Sequence, residues 1–177
     1  ALSRFFRISL SKGKDWITVG EEFEHVSSYL AIQKIRYRDI LDYQIDIDDA
    51  MLSATILKLM LQPLVENALY HGIKNKRTGG AIVVRGRCDG ETLLHVTVTD
   101  NGMGMTPERL AEVRNSLTRD LLVTSEGGYG LINVNQRIRL YYGQRYGLTI
   151  DSEYGAGTSV ALSIPLRRRP ESASDKI

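Results

Sequence analysis

The stretch LQPLVENALYHG, residues 61–72, carries an adjacent acid and amide, Glu66 and Asn67, within an otherwise apolar run. The apolar residues from about 54 to 72 predict a buried helix, and Pro63 inside it removes one backbone N–H and predicts a kink. Read alone, the polar pair is compatible with a solvent-facing position or with a helix cap. The role of this stretch is therefore inferred from the predicted elements and the motifs around it.

The segments around this helix predict a mixed sheet. Asp89-Gly90 joins two strands, because its residue types tolerate the positive φ of a tight hairpin. Thr106-Pro107 starts a short helix, and Gly143 ends a later one. The predicted strands are 41–48, 81–88, 92–99, 148–153 and 158–164, and the predicted helices are 107–117 and 131–142. We therefore expect an α+β fold, an open mixed sheet covered by helices on one face.

The pattern upstream of the sheet is helical. Residues 2–11 have apolar positions at helical spacing and predict the end of a helix. Thr18 and Glu21 form a capping-box pattern, which predicts a second helix over 19–38. The period becomes strand-like just after Asp39, where we place a domain boundary. The chain is thus divided into a helical segment at 1–39, a main domain at 40–166 and a polar tail at 167–177.

The composition narrows the functional classes. The 177 residues include 23 Lys and Arg against 21 Asp and Glu, and the net charge of +2 lacks the basic excess of most nucleic-acid-binding proteins. The longest apolar run, 81–84, falls far short of the roughly 20 residues that span a bilayer. The single cysteine, Cys88, excludes an internal disulfide and a multi-cysteine metal site. Because the first residue is Ala1, we expect a fragment of a longer protein.

Three stretches supply what a magnesium nucleotide needs, although each alone is typical of a cap, a turn or a connector. Asn67 offers a neutral oxygen suited to magnesium. Asp100, at the end of a strand, offers a carboxylate that accepts from the amino group of adenine, where guanine has a carbonyl. Glycines leave room for the base and lead into a helix N-terminus suited to phosphate; these positions are Gly102, Gly104, Gly128 and Gly130, with the helix at Leu131.

These stretches, taken in order, resemble a known family. VENALYHG (65–72), DNGMGM (100–105), GGYGLINV (127–134) and GAGT (155–158) are similar to the N box and glycine boxes of the Bergerat-fold ATP-binding domain of sensor histidine kinases. LQPLVENALYHG, together with YLAIQKIRYRD (29–39), resembles the LytS-like class in particular. The resemblance covers residues 2–165. It implies a Bergerat-type α/β sandwich, with a mainly antiparallel sheet, preceded by the end of a dimerisation and phosphoacceptor region.

The resemblance also implies a role for each matching residue. Asn67 is then the magnesium ligand, His71 lies beside the ribose or the phosphates, and Asp100 holds adenine. The other implied ATP-binding positions are Gly102, Gly104, Gly128, Gly130, Leu131 and Thr158, the last supporting the base through its hydroxyl. Residues 106–127 are implied to form a mobile lid. The implied cofactors are ATP and magnesium.

Tyr70 departs from the family, which often has a lysine at this position. The phosphate charge then needs another cation, and Lys74, Lys76 and a lid arginine are the candidates. Glu66 is expected to support the site by orienting Asn67 or a water molecule. The choice among these cations stays open at the level of sequence.

Pro63 separates this chain from other branches of the superfamily. The gyrase-type and chaperone ATPases and the related serine kinases place a general-base glutamate one helical turn before the magnesium asparagine, where this chain has Pro63. A proline activates neither water nor serine. Neutral imidazole needs no strong base, so transfer to histidine rests on positioning and charge neutralisation. A histidine kinase is therefore favoured over an ATPase or a serine kinase.

The acceptor histidine is expected elsewhere. The resembled family carries it in a PHFLFN-like motif on an upstream dimerising helix, and the printed sequence has no such motif. His71 belongs to the N box, His95 alternates along a strand, and His25 lacks the acidic residue that often follows an acceptor. We therefore expect no catalytic residue in this chain, and transfer of the γ-phosphate to a histidine on an upstream helix absent from it.

The implied partners follow from this assignment. They are the protein's own dimerisation and phosphoacceptor helices, a second copy in a homodimer and a response-regulator receiver domain, with no nucleic acid. The implied location is the cytoplasmic side of a membrane-anchored bacterial protein. Because Tyr70 departs from the family, a non-catalytic nucleotide-binding scaffold is the alternative of a different class. The basic runs at 74–77 and 167–169 are expected to be solvated surface.

Overall fold

The computed structural model describes residues 15–38, 40–74, 76, 79–90, 92–119 and 129–168. The helices are α1 (Val19–Arg36), α2 (Gln62–Asn67, continued by a π-helix, Ala68–Ile73), α3 (Pro107–Arg119) and α4 (Tyr129–Tyr142). The strands are β1 (Trp16–Thr18), β2 (Leu41–Ile47), β3 (Ala54–Leu57), β4 (Gly80–Asp89), β5 (Leu93–Asp100), β6 (Gly147–Glu153), β7 (Gly157–Pro165) and β8 (Arg167–Arg168), and a 3-10 turn spans Asp49–Met51. Within these ranges, no helix combines the length and the apolar character needed to cross a bilayer.

The main sheet has the strand order β2-β4-β5-β7-β6. Strand β2 pairs with β4 in parallel, and the other neighbours pair antiparallel. Burial alternates along the central strands, so one face of the sheet packs against the helices. The buried apolar side chains of β4, β5 and β7 are Ile82, Val84, Leu94, Val96, Val98, Val160, Leu162 and Ile164. The predicted α+β fold with a mixed, mainly antiparallel sheet is confirmed.

Helix α1 begins at the predicted capping box. The Thr18 hydroxyl accepts from the backbone N–H of Glu21 at 3.1 Å, and the Glu21 carboxylate accepts from the backbone N–H of Thr18 at 2.7 Å. The helix buries apolar side chains such as Val26 and Leu30, as the sequence pattern indicates. It contacts β2, β3 and α2, so it packs onto the elements that carry the apolar stretch. The domain boundary near Asp39 stays a prediction.

The prediction of one helix over 54–72 is wrong for its first part. Ala54–Leu57 is a strand that pairs antiparallel with Trp16–Thr18, and the helix begins only at Gln62. A short apolar run does not distinguish a buried strand from a buried helix, so periodicity gave no warning here. Pro63 lies in the first turn of this helix, where its missing N–H would have no intrahelical partner, so the reason for expecting a kink does not apply.

A second, three-stranded sheet has the order β1-β3-β8. Its last strand corrects the predicted polar tail, since Arg167–Arg168 pairs with Ala54 and Thr55. The Arg167 guanidinium also lies over the rings of Trp16 and Tyr142, at 5.0 and 5.1 Å from the ring centroids. The predicted helix over 2–11, Gly128, residues 120–127 of the predicted lid and residues 169–177 of the predicted tail lie outside the described residues.

Candidate functional site

An open cleft of about 230 Å³ lies between the N-terminal end of helix α4 and the helix formed by α2 and its π continuation. The residues that line it are Pro63, Glu66, Asn67, Tyr70, His71, Gly130 and Leu131. Six of these were predicted as site residues from sequence, and the structure brings them together. The first turn of α4 has backbone N–H groups without intrahelical partners, and its dipole favours negative charge at this end. The cleft thus joins an amide oxygen, that of Asn67, to an anion-favouring helix end.

Asp100 lies at the end of β5, directly behind the cleft-forming helix. A Cβ added to Gly72 would lie 2.3 Å from Asp100 Oδ1, so the glycine allows the helix backbone to rest on this carboxyl group. The backbone N–H of Gly102 donates to the same oxygen at 2.8 Å. Asp100 is only 4% exposed. The carboxyl group is therefore buried against Gly72, the residue that follows His71 of the cleft.

Burial also shapes the acidity of Asp100. Removal from water raises the pKa of its carboxyl group to about 6, although the backbone N–H groups of Gly102 and Thr158 and the charge of Lys76 act in the opposite direction. An ionised carboxylate has about four acceptor positions. Two backbone donors leave capacity for a further donor from a ligand. At neutral pH this group can therefore accept a hydrogen bond.

The glycines after Asp100 pack against protein backbone. A Cβ on Gly102 would lie 2.3 Å from the carbonyl carbon of Gly72, and one on Gly104, which has φ +63°, would lie 1.9 Å from the Glu153 carbonyl oxygen. The Met103 N–H donates to the Gly72 carbonyl at 3.2 Å. These glycines hold the turn after β5 between the π-helix and the β6–β7 turn. Their closeness to an adenine base stays a prediction.

Thr158 faces Asp100 across the ladder, since the two residues are register partners of β5 and β7. Its hydroxyl lies 2.9 Å from Ser152 Oγ. Ser152 Oγ also donates to the Gly157 carbonyl and accepts from the Met105 N–H, both at 2.9 Å. Sequence analysis missed Ser152, which links the turn after β5 to the start of β7. The Thr158 hydroxyl, which is predicted to support the base, is thus held by a hydrogen bond with Ser152.

The two lysines proposed as phosphate partners have other contacts. Lys76 Nζ donates to the Asn101 carbonyl at 2.6 Å, and Lys74 Nζ lies 5.7 Å from the centroid of the Tyr70 ring. Neither belongs to the described set of residues that line the cleft. Tyr70, which replaces the family lysine, thus holds a cation one helical turn further along. Which cation meets phosphate stays a prediction.

Helix α1 supplies polar contacts that sequence analysis missed. The Glu22 carboxylate, which is fully buried, accepts from the backbone N–H groups of Leu59, Met60 and Leu61 at 2.9, 2.7 and 2.8 Å. His25 Nε2 lies 2.7 Å from Gln62 Oε1. The 3-4 spacing of polar side chains along α1 is the signal that was available for this face.

His25 and His95 both lie away from the cleft in which a phosphate acceptor would be needed. His25 is fully buried, and its Nε2 is in contact with Gln62. His95 lies on β5, with Nδ1 at 2.7 Å from Ser163 Oγ and Nε2 at 3.6 Å from Asp89 Oδ2, on the sheet face as its alternation indicated. Neither lines the cleft.

Comparison with known families identifies the chain. Residues 53–168 match the family described as histidine kinase-, DNA gyrase B-, and HSP90-like ATPase, and residues 1–41 match the family described as histidine kinase. An uncharacterised sensor-like histidine kinase of Staphylococcus epidermidis is 38% identical over 165 residues, which are 93% of this chain and 31% of that protein. The sensor protein kinase HptS of Staphylococcus aureus is 36% identical over 167 residues, 94% of this chain and 31% of that protein. The chain thus spans about a third of the length of the curated relatives it matches.

Solved structures show the same fold. The histidine kinase domain of the blue-light activated histidine kinase of Erythrobacter litoralis EL346 matches with a TM-score of 0.62 and 21% identity, over 93% of this chain and 71% of that one. The catalytic domain of histidine kinase ThkA matches with a TM-score of 0.62 and 16% identity, over 86% of this chain and 97% of that one. The chain therefore belongs to the histidine kinase-, DNA gyrase B-, and HSP90-like ATPase family, as the ATP-binding catalytic domain of a sensor histidine kinase.

Proposed function

We propose that this domain holds magnesium ATP, with the adenine at Asp100 and the phosphates in the cleft beside Asn67, for transfer of the γ-phosphate to a histidine. The observation that carries the proposal is the buried Asp100 carboxyl group, which packs against Gly72, the residue that follows the cleft-lining His71. A buried acceptor with unused capacity favours a base with an amino group. Guanine has a carbonyl at that place and would leave two acceptors facing each other.

The cleft suits the phosphates and the metal ion. Asn67 and the N-terminus of α4, at Gly130 and Leu131, line the same cavity. Magnesium commonly takes one or two protein oxygens and completes its shell with phosphates and water. The described residues include no cluster of acidic, histidine or cysteine side chains that could hold a metal ion. A neutral amide beside an anion-favouring helix end fits a metal that arrives with its phosphates, and magnesium, when bound, neutralises charge at the γ-phosphate.

Pro63 lines the cleft, where related enzymes need a general base. Its side chain accepts no proton, so the domain favours an acceptor that is nucleophilic when neutral, as imidazole is. His25 is buried and His95 lies on the sheet, which leaves the acceptor to another segment. We therefore assign the acceptor to a dimerising helix of the whole protein, with 1–39 the end of that region and 40–166 the ATP-binding unit.

The same assignment extends to the whole protein. A dimer brings the acceptor helix and this domain together, and a response-regulator receiver domain then takes the phosphate from the histidine. A membrane anchor elsewhere in the protein places the domain in the cytoplasm. A nucleotide-binding scaffold without transfer is the second candidate, favoured by Tyr70 and by the bond between Lys76 and Asn101.

Binding experiments test the nucleotide site. Calorimetry with ATP and magnesium should give clear binding by the wild type and much weaker binding of GTP. Asn67→Ala should lose only the magnesium-dependent part of the affinity, so that it equals the wild type in excess chelator. An equal loss in magnesium and in chelator shows that Asn67 is not the ligand.

A labelling experiment with the full-length protein separates transfer from the scaffold. Radiolabelled ATP and magnesium should give an acid-labile, base-stable phosphate, as phosphohistidine is. At saturating ATP, the His25→Ala variant should label to the same extent as the wild type. Binding of ATP without any label in the wild type supports the scaffold. Loss of label in His25→Ala while ATP is still bound makes His25 the acceptor.

A further inference from the structure

Helix α1 presents a stripe of buried polar side chains to the cleft-forming helix. Glu22, His25 and Tyr29 follow one another at spacings of three and four residues, so they share one helix face. Their exposures are 0%, 0% and 6%. Apolar side chains pack such a face at lower cost, because buried polar groups lose their hydration. Packing alone therefore does not explain why this helix face is polar.

A continuous line of hydrogen bonds leads from this stripe into the cleft. Gln62 Nε2 donates to Glu66 Oε1 at 2.8 Å, and Gln62 Oε1 lies 2.7 Å from His25 Nε2. Because a carboxylate only accepts, the Gln62 amide must turn its NH₂ group to Glu66 and its oxygen to His25. The hydrogen on His25 must then be on Nε2. The proton positions along the line are therefore fixed by the carboxylate at its end.

A second contact joins α1 to the same wall of the cleft. Burial, followed by the neighbouring Tyr70 hydroxyl and the Glu66 carboxylate, raises the pKa of Tyr29. Tyr29 thus lies close to two of the residues that line the cavity.

Glu22 holds in place the turn from which Gln62 follows. It binds the backbone of Leu59, Met60 and Leu61, the turn that leads into α2. Leu59 has φ +59°, a conformation that is strained for a leucine. The three bonds from one carboxylate hold this turn against α1. The start of α2 is consequently registered to α1 rather than to the sheet alone.

We propose that His25 and Gln62 are positioning residues of the nucleotide site, which hold Glu66 in place so that ATP affinity depends on helix α1. The inference rests on the proposed function of the cleft. Neither residue is among those that line the cleft, and both reach it through Glu66. Their contribution therefore passes through the orientation of that side chain.

The first test compares two variants of the full chain. Gln62→Met keeps the volume of the side chain and removes both hydrogen bonds, and it should weaken magnesium ATP binding about tenfold, the effect of one lost bond to a charged group. Val26→Ala removes only packing from α1, where Val26 is fully buried, and should lower the melting temperature while leaving ATP affinity within about twofold. Equal losses of affinity in the two variants, or none in Gln62→Met, overturn the proposal.

A second comparison uses rescue and coupling. His25→Gln keeps a donor for the Gln62 oxygen and should retain most of the affinity that His25→Phe loses. The loss in His25→Phe should disappear when Glu66 is already alanine, because the line then has no end. Additive losses in His25→Phe and Glu66→Ala, or equal losses in His25→Gln and His25→Phe, overturn the positioning role. Absence of ATP binding by the wild type instead overturns the proposed function itself, and these outcomes are distinguishable.

Discussion

Glu22 and Asp100 are both buried carboxylates, yet the protein satisfies the hydrogen-bonding capacity of Glu22 more fully than that of Asp100. Burial raises the pKa of each. Glu22 has three backbone N–H donors from one turn, so both of its oxygens are engaged by the protein. Asp100 has the backbone of Gly102 and Thr158 and retains acceptor capacity. The comparison teaches that saturation by backbone donors, more than burial or acidity, separates a structural carboxylate from one available for recognition.

The surroundings of the two groups differ in the same way. Glu22 lies between a helix and a turn that together bury it completely. Asp100 lies behind a glycine, Gly72, whose missing side chain leaves its carboxyl group in contact with the helix backbone. Side chains close the first region, whereas the absence of a side chain at Gly72 lets helix backbone pack directly on Asp100.

The largest effect is expected at the structural carboxylate. Glu22→Ala leaves three buried N–H groups without their acceptor and should lower the free energy of unfolding by about 3 kcal/mol or more. Glu21→Ala, which removes only the exposed capping carboxylate next to it, should cost about 1 kcal/mol or less. Urea unfolding of the two variants measures the difference. Equal costs would mean that the three bonds to Glu22 contribute little.

Asp100→Asn tests the other half of the comparison. It should weaken ATP binding by about 1.5 to 3 kcal/mol, the size of a hydrogen bond to a charged group, without a loss of stability at neutral pH. The stability is retained because the substitution removes a charge that burial disfavours. Calorimetric titration and thermal unfolding check the two parts. Unchanged ATP affinity, or equal wild-type affinity for GTP, would contradict the adenine assignment.

The pH dependence should have opposite signs for stability and for binding. The pKa of Asp100 is raised from 3.8 to about 6 in the folded protein, so the folded state holds this proton more tightly than the unfolded chain. Asp100 therefore favours folding at about pH 4, and this contribution is lost as the pH rises through about 6. Binding needs the ionised form, so ATP affinity should fall about tenfold between about pH 7 and about pH 5.

The Asp100→Asn variant is the reference for both measurements, because ionisation of the phosphates and of Glu22 cancels in the comparison. The ratio of wild-type to variant affinity should decline below pH 6, while the difference in stability moves in favour of the wild type. A ratio that does not change with pH would show that the carboxylate does not contact the ligand.

The smallest effect is expected at Gly130. A Cβ there would meet only Pro63 Cβ at 3.5 Å, an ordinary contact, in contrast to the close approach at Gly72. Gly130→Ala should leave the protein as stable or slightly more so, since alanine favours a helix by up to about 1 kcal/mol. If glycine is present for the phosphates, ATP affinity alone should fall by a few fold. A loss of stability, measured by urea unfolding, would assign Gly130 to packing instead.

Local signals made much of the fold predictable. The capping box at Thr18 and the hairpin at Asp89-Gly90 each report on a few neighbouring residues, and each is observed. Strand β2, predicted from its alternating pattern, is also observed, although Leu41 is the one fully buried residue of its apolar face. The prediction of one helix over 54–72 failed because the choice between strand and helix in its first part depends on pairing with Trp16–Thr18, which is distant in sequence. Pairing across the chain overrides local pattern where a run is short.

The site was predictable in its members but less so in its contacts. The resemblance pointed to Asn67, His71 and Gly130, and the structure places all three in one cleft. It gave no account of Gln62 or of Glu22, because a buried polar stripe on α1 looks like a solvated face when only single residues are weighed. The glycines after Asp100 were assigned to the base, whereas their nearest neighbours are protein backbone.

The small sheet has a mechanical consequence. Strands β1 and β8 both pair antiparallel with β3, so they run parallel to each other on its two sides. A pull that separates β1 from β8 along their axes loads these ladders in shear, so that the hydrogen bonds must fail together rather than unzip one by one. Arg167, on β8, lies over the ring of Trp16, on β1, and adds a cation–π contact across the same sheet. Tension on the domain is therefore received by β3, the strand whose chain continues into the turn that starts α2.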